Sequence, residues 1–334
     1  MKAQTPKYFK TKLGIGILFL PLSLIYWLVS KINEYKSKAY KSSARVICIG
    51  NITLGGVGKT PLVIKIVETL LKKKFRVGVL SRGYGSRLSS KIPVIVDGKK
   101  HTAIDVGDEV FMIYQKFKGK VPVCICTNRA NGAKMLENKV DIIIMDDGLQ
   151  NYTLSKDKSV IVFDGQTGIG NGFIFPAGPL RETLKRGMKK ADAIVVIRKI
   201  KRSFEKKLSK YNLPIFNAKT VAKNLDKFKG KSVIAFAGIG NPHKFSDTLR
   251  TENIKIKRLF EFPDHHEYSD SDFKKIINIA KGLPILTTTK DYVKVPKKYQ
   301  PNITPVEIDL NIDRADDFFN TIKNNCISNK NMIR

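Results

Sequence analysis

The sequence predicts an α/β fold built on a mostly parallel sheet. Three observations carry this reading. Short β-branched apolar runs alternate with helix-periodic stretches, a glycine-rich turn joins the first such run to the first such helix, and a later apolar run ends in two adjacent aspartates. At 334 residues the chain can bury a sizeable core, and it is expected to divide, because single cores stop growing near about 250 to 300 residues. We assign 1–40 to a hydrophobic anchor with basic flanks, 41–155 to a first α/β domain, and 156–334 to a second, smaller α/β domain whose last helix is free to pack back on the first.

The first element is unlike the rest. Leu13–Ser30 carries no charge over eighteen residues, which as a helix spans about 27 Å, close to the thickness of a bilayer core. Lys7, Lys10 and Lys12 precede it, Lys31, Lys36, Lys38 and Lys41 follow it, and Tyr26 and Trp27 stand near its end, where aromatic rings favour the interface. Pro21 is expected to bend this helix. A secretory signal and a buried soluble helix are the competing readings. The apolar run exceeds the usual signal core, so attachment to a membrane, with the globular part cytoplasmic, is the expectation. Lysines on both sides leave full crossing and partial insertion equally open.

Beyond the anchor, strands are predicted at Arg45–Ile49, Arg76–Leu80, Val121–Cys126, Ile142–Met145 and Ser159–Phe163, with helices at Lys59–Lys72 and Glu109–Phe117. A Gly-rich break from Gly165 to Gly178 follows. Further strands are predicted at Ala193–Ile197, Ser232–Ala237, Pro284–Leu286 and Val306–Leu310, with a helix at Phe273–Ala280.

Lys and Arg exceed Asp and Glu by 61 − 29 = 32, an excess that favours anionic lipid, nucleic acid or a phosphorylated substrate as partner. Lys185 to Lys210 alone holds eleven basic and two acidic residues; a solvated surface is the bland reading of that run. The lysine-rich regions lack interleaved aromatic platforms, so no nucleic acid partner is expected. Cys48, Cys124, Cys126 and Cys326 show neither metal-ligand spacing nor a disulfide framework, and Cys124 and Cys126 read as small hydrophobes on one face of a strand.

The strongest local signal is Gly50-Asn51-Ile52-Thr53-Leu54-Gly55-Gly56-Val57-Gly58-Lys59-Thr60-Pro61, lying between a predicted strand and a predicted helix. This is the setting of a phosphate-binding loop, and it makes the first domain P-loop NTPase-like. Backbone N–H groups from Thr53 to Thr60 would converge on phosphate oxygens, Lys59 would reach the β and γ phosphates of ATP, and the Thr60 hydroxyl would sit on Mg²⁺. Thr53 stands where the pattern's first glycine usually does. Its partner is the run ending Met145-Asp146-Asp147-Gly148-Leu149-Gln150, which delivers carboxylates to the same sheet edge. Asp146 would hold Mg²⁺, while Asp147 would hold the metal or orient the acceptor.

Several motifs in this order resemble the tetraacyldisaccharide 4'-kinase family, the lipid A kinases. They are Gly50 to Pro61, Ser81-Arg82-Gly83-Tyr84-Gly85, Gly107-Asp108-Glu109, Asp146 to Gln150, Phe175-Pro176-Ala177-Gly178-Pro179-Leu180-Arg181-Glu182, Gly238-Ile239-Gly240-Asn241-Pro242, Asp264-His265 and Lys290-Asp291. The resemblance implies transfer of the ATP γ-phosphoryl group to the 4'-hydroxyl of an acylated disaccharide 1-phosphate lipid at the inner leaflet of the cytoplasmic membrane. That anionic surface is then a second partner, and no obligate protein partner is evident. The resemblance also implies that substrate binds between a P-loop domain and a smaller α/β domain.

The same resemblance places the catalytic groups at Asp108 and His265 beside Lys59, Mg²⁺ contacts at Thr60, Glu109 and Asp146, acceptor contacts at Arg82, Asp147, Asn151, Arg181 and Glu182, and a nucleotide-base contact at Asp291. The chain departs from the family at Asn151, where His is usual, at Val110, where Pro is usual, and at Thr289, where Glu is usual. A membrane-tethered P-loop ATPase with a switch role is the alternative; it would need no acceptor pocket and no base.

Overall fold

The computed structural model describes residues 6–11 and 14–323. Twelve strands, β1 (Arg45–Gly50), β2 (Val77–Ser81), β3 (Val94–Ile95), β4 (Val123–Ile125), β5 (Ile142–Asp146), β6 (Lys158–Asp164), β7 (Ala193–Ile197), β8 (Ile215–Lys223), β9 (Ser232–Ala237), β10 (Lys255–Glu261), β11 (Ile285–Thr288) and β12 (Ile303–Ile312), lie in the order β10-β9-β11-β12-β8-β7-β6-β1-β5-β2-β4-β3. All neighbouring pairs are parallel except β3 with β4 and β8 with β12. The helices are α1 (Leu20–Lys36), α2 (Lys59–Lys72), α3 (Ala103–Val106), α4 (Asp108–Lys116), α5 (Arg129–Leu136), α6 (Leu184–Met188), α7 (Arg202–Leu208), α8 (Pro242–Thr251), α9 (Asp270–Ala280), α10 (Thr289–Tyr292) and α11 (Ala315–Lys323).

The central strands read as unbroken apolar runs because helices cover both faces of a parallel sheet. On one face α2 inserts Leu62, Val63, Ile66, Val67 and Leu70, joined by Phe318, Phe319 and Ile322 of α11. Cys48, Cys124 and Cys126 sit in the core of the other face with Ala133, Leu136, Met188 and Phe204. Burial pushes the Cys48 and Cys124 thiols up to about 11 and about 12, so these cysteines are inert hydrophobes.

Two further cores, around Phe245 and Leu249 of α8 and around Phe273 and Ile276 of α9, belong to a second unit built on β9, β10 and β11. The link between units is β12, whose first half pairs with β11 and whose second half forms an antiparallel ribbon with β8.

Three expectations are corrected. The break expected near residue 155 does not divide the sheet, since β6 pairs with β1 and β7 with β6. Pro21 lies in the first turn of α1, where its missing N–H has no intrahelical partner to lose, so it starts the helix instead of bending it. Strands β8 and β10 were not expected. β10 is an edge strand studded with Lys255, Lys257 and Arg258, and such charges blunt an edge while hiding the apolar alternation.

The segment expected to act as an anchor contains a short 3₁₀ turn, Ile15–Phe19, followed by α1. This 22-residue stretch, Ile15–Lys36, is long and apolar enough to cross a membrane, with Ile15, Leu18, Leu22, Leu24 and Ile25 exposed. Its buried residues are Gly16 and Ser23, and the Ser23 hydroxyl bonds Ile174 O at 2.8 Å. Leu13 lies outside the described residues.

Candidate active site

β1 ends at Gly50, and the loop that follows re-enters the fold as α2 at Lys59. Gly58 must be glycine for two reasons. Its φ is +93°, and a Cβ there would lie 2.8 Å from Ile197 Cδ1. Gly55 and Gly56 are exposed with open space before them, while Thr53 is buried and bridged to Leu180. Leu54 donates its N–H to Pro179 O at 2.7 Å, and Val57 is buried in the core under α2. The loop is thus fixed at its ends and open at its crest.

Ile49 of β1 is in register with Asp146 of β5, which sets the carboxylate next to this loop. Asp146 is 4% exposed, and its Oδ1 has no hydrogen-bond partner. Burial pushes its carboxyl up to about 7, with Glu109 adding to the rise and Lys59 opposing it. Thr60 donates its hydroxyl to Glu109 Oε2 at 2.9 Å. Hard oxygen donors around an orphaned buried carboxylate oxygen suit Mg²⁺, so Thr60, Glu109 and Asp146 fit that ion.

Lys59 Nζ lies 3.2 Å from Asn51 Oδ1 and 3.5 Å from Asp147 Oδ1. Asp147, in the left-handed region at φ +50°, accepts Arg181 Nη1 at 3.0 and 3.1 Å. Burial would raise its carboxyl, but the Lys59 and Arg181 cations outweigh that and hold it below the usual range.

The N-terminal turn of α4 faces two ways. Glu109 meets the phosphate loop, and its neighbour Asp108 meets the second unit, with Asp108 Oδ2 3.0 Å from His265 Nδ1. Lys290 Nζ lies 3.2 Å from His265 Nε2. An ammonium can only donate, so Nε2 is the acceptor and Nδ1 carries the proton donated to Asp108. Burial opposes ionisation of Asp108, yet the His265 hydrogen bond and the Lys294 and Lys290 charges keep its carboxyl below the usual range. Tyr84 approaches the same imidazole edge-on, centroids 6.3 Å apart, while His266 pairs with Asp272 and stacks on Phe262.

The remaining candidates fall into two groups. Arg82 is exposed beside this edge, and Arg181 reaches Asp147 as described. Glu182 is 1% exposed and accepts Gln150 Nε2 at 2.8 Å and Lys190 Nζ at 2.6 Å, and Asn151 Oδ1 accepts from Thr153 N and Oγ1. Both side chains are therefore engaged with neighbours of the first unit. Asp291 is fully buried and takes Gly238 N–H, Tyr268 OH and Thr288 Oγ1. The expected base contact at Asp291 is corrected on that ground, because its carboxylate is used up in holding the Gly238 loop. Val110 is buried in the core beneath α4, and Thr289 begins α10.

Two cations were not anticipated. Lys294, 7% exposed, sits 3.4 Å from Asp108 Oδ2 and 3.3 Å from Asp291 Oδ1. Arg129 is 2% exposed, and its guanidinium lies within electrostatic reach of Asp146. Its place at the start of α5, directly after β4 on the loop-bearing sheet edge, is the signal that could have found it.

Residues 15–326 match the family described as Tetraacyldisaccharide-1-P 4'-kinase. The chain is 37% identical over 326 residues to the tetraacyldisaccharide 4'-kinase of Mannheimia succiniciproducens, covering 95% of this chain and 97% of that one. It is 38% identical over 302 residues to that of Bradyrhizobium diazoefficiens, covering 88% and 87%. A crystal structure of LpxK from Aquifex aeolicus in complex with ATP superposes with a TM-score of 0.75 at 27% identity, over 93% of this chain and 99% of that one. With the phosphate loop, the two aspartates at the end of β5 and a cross-unit Asp–His pair in place, the chain belongs to the tetraacyldisaccharide-1-P 4'-kinase family.

Proposed function

We propose that this cleft moves the γ-phosphoryl group of ATP to the 4'-hydroxyl of a tetraacyldisaccharide 1-phosphate with Asp108 as the base. The family's reaction is ATP-dependent phosphorylation in lipid A biosynthesis, and the observation that carries the residue assignment is the double contact of α4. Glu109 touches Thr60 of the phosphate loop while Asp108 touches His265 of the second unit.

The acceptor oxygen forms a bond to the γ-phosphorus, the bond from that phosphorus to the β,γ-bridging oxygen breaks, and ADP leaves. The hydroxyl proton passes to Asp108, a carboxylate kept ionised by His265, Lys294 and Lys290. His265 donates through Nδ1, so it orients Asp108 and stabilises its charge. Lys59 and the loop N–H groups hold the β and γ phosphates where charge develops. Mg²⁺, held by Thr60, Glu109 and Asp146, would supply neutralisation of phosphate charge. Arg82 and the Arg181–Asp147 pair would position the acceptor's polar head.

The exposed apolar surface of α1 supports a reaction carried out at a membrane, where the basic flank from Lys31 would face anionic headgroups and the globular units would lie on the cytoplasmic side of the inner membrane. ATP turnover in detergent, with and without the acylated disaccharide, tests the reading. Strict dependence on the acceptor supports the kinase, and acceptor-independent hydrolysis at the same rate would favour the tethered ATPase.

A further inference from the structure

We infer that Lys244 is a positioning residue: its ion pair with Asp164 latches the second unit onto the phosphate-loop side of the first and so holds His265 at Asp108. The inference rests on the reading of Asp108 and His265 as the reacting side of the cleft.

Asp164 ends β6, next to β1, and is 3% exposed. Its carboxylate accepts the backbone N–H groups of Gln166 and Thr167 at 3.0 and 3.3 Å, the guanidinium of Arg198 at the end of β7, and Lys244 Nζ at 2.9 Å. The first three partners belong to the first unit, and Lys244 comes from α8 in the second. The receptor is tied to the phosphate loop, because Arg198 follows Ile197, whose side chain closes on Gly58.

The other end is tied to the dyad. Gly238, in the turn that leads from β9 into α8, accepts the backbone N–H of His265 at 3.2 Å, and its own N–H is held by Asp291. Phe245 and Leu249 anchor α8 in the core of the same unit. Lys244 and His265 therefore hang from one rigid turn, and a shift of one relative to the first unit is a shift of the other.

The pair is also built to release. When Lys244 leaves, Asp164 keeps Arg198 and two backbone donors, while the Lys244 side chain, 36% exposed, returns to water. Neither charge is left buried and alone, the condition that makes breaking a buried pair costly. A latch of this kind shifts an open–closed equilibrium by about 1.5- to fivefold, the range of partly exposed ion pairs.

The test is an interlobe distance read by pulsed electron paramagnetic resonance. Spin labels are placed at Lys72→Cys on α2 and Lys275→Cys on α9, both exposed, in a Cys326→Ser background with a non-hydrolysable ATP analogue. Cys48, Cys124 and Cys126 are buried and escape labelling. Lys244→Ala is expected to shift the open–closed equilibrium about 1.5- to fivefold toward longer distances, with kcat/KM for the acceptor falling by up to a similar factor, and Lys244→Arg to restore both. An unchanged distance distribution in Lys244→Ala would overturn the latch, as would an Arg variant no better than Ala. The distance needs no turnover, so an enzyme inert toward the acceptor would sink the proposed reaction and leave the latch to be judged on its own readout.

Discussion

Removal of His265 should cost turnover only through Asp108, and the structure sets the size of that loss. A hydrogen bond from a neutral donor to an ionised carboxylate is worth about 1.5 to 3 kcal/mol. The 3.0 Å Nδ1 to Oδ2 contact is partly buried, so its full value should be felt. At about 1.4 kcal/mol per tenfold, His265→Ala is expected to lower kcat by about 10- to 150-fold. Asp108→Ala removes the base itself, and general-base catalysis contributes about 10² to 10⁴. Since His265 works on Asp108, the double variant should be scarcely worse than Asp108→Ala alone. The assay is a double-mutant cycle at saturating ATP and acceptor, with nucleotide binding measured separately and expected to change little. Full turnover in Asp108→Ala would refute the base assignment, and additive losses would dissolve the pair into two independent roles.

Lys59→Ala and Thr60→Ala should each lower phosphoryl transfer by at least about a hundredfold, because each strips charge stabilisation or positioning from the phosphates; near-normal activity in either would remove this loop from the site. Deletion through Ser30 should weaken association with membranes in a flotation assay, and retention undiminished at high salt would place the anchor elsewhere. Asp146 gives a pH signature. With its carboxyl raised from 3.8 to about 7, the folded protein keeps a proton that the unfolded chain has lost, so metal-free stability falls as pH rises from about 4 through about 7 and then levels off. The full penalty is at most about 4 kcal/mol. In chelator, Asp146→Asn should therefore gain stability over the parent at pH 8 but not at pH 4, and equal pH slopes in the two proteins would contradict the burial argument.

What the sequence made legible was local. The α2 bounds Lys59–Lys72 agree with expectation because a glycine cluster precedes and an apolar stripe fills the helix, and β7 and β9 agree because buried parallel strands are plain apolar runs. The pairing of Asp108 with His265 joins residues 157 positions apart; no periodicity shows it, and it came from motif resemblance. Lys294 escaped because nothing in its own turn marks it, its meaning lying in proximity to Asp108 across the units. Asp291 was misread because a Lys-Asp pair looks alike on a surface and in a core, whereas its burial and three donors are tertiary facts. β8 stayed hidden for the reason that hides β10, an exposed face rich in polar residues.

The central claim is that this cleft makes a phosphorylated lipid. Mass spectrometry of the product formed from ATP and tetraacyldisaccharide 1-phosphate by the purified full-length protein, with Mg²⁺ in detergent, tests it most directly. The acceptor is expected to gain the mass of one phosphoryl group at the 4' position, with ADP formed in equal amount. An acceptor of unchanged mass beside a folded protein would contradict it.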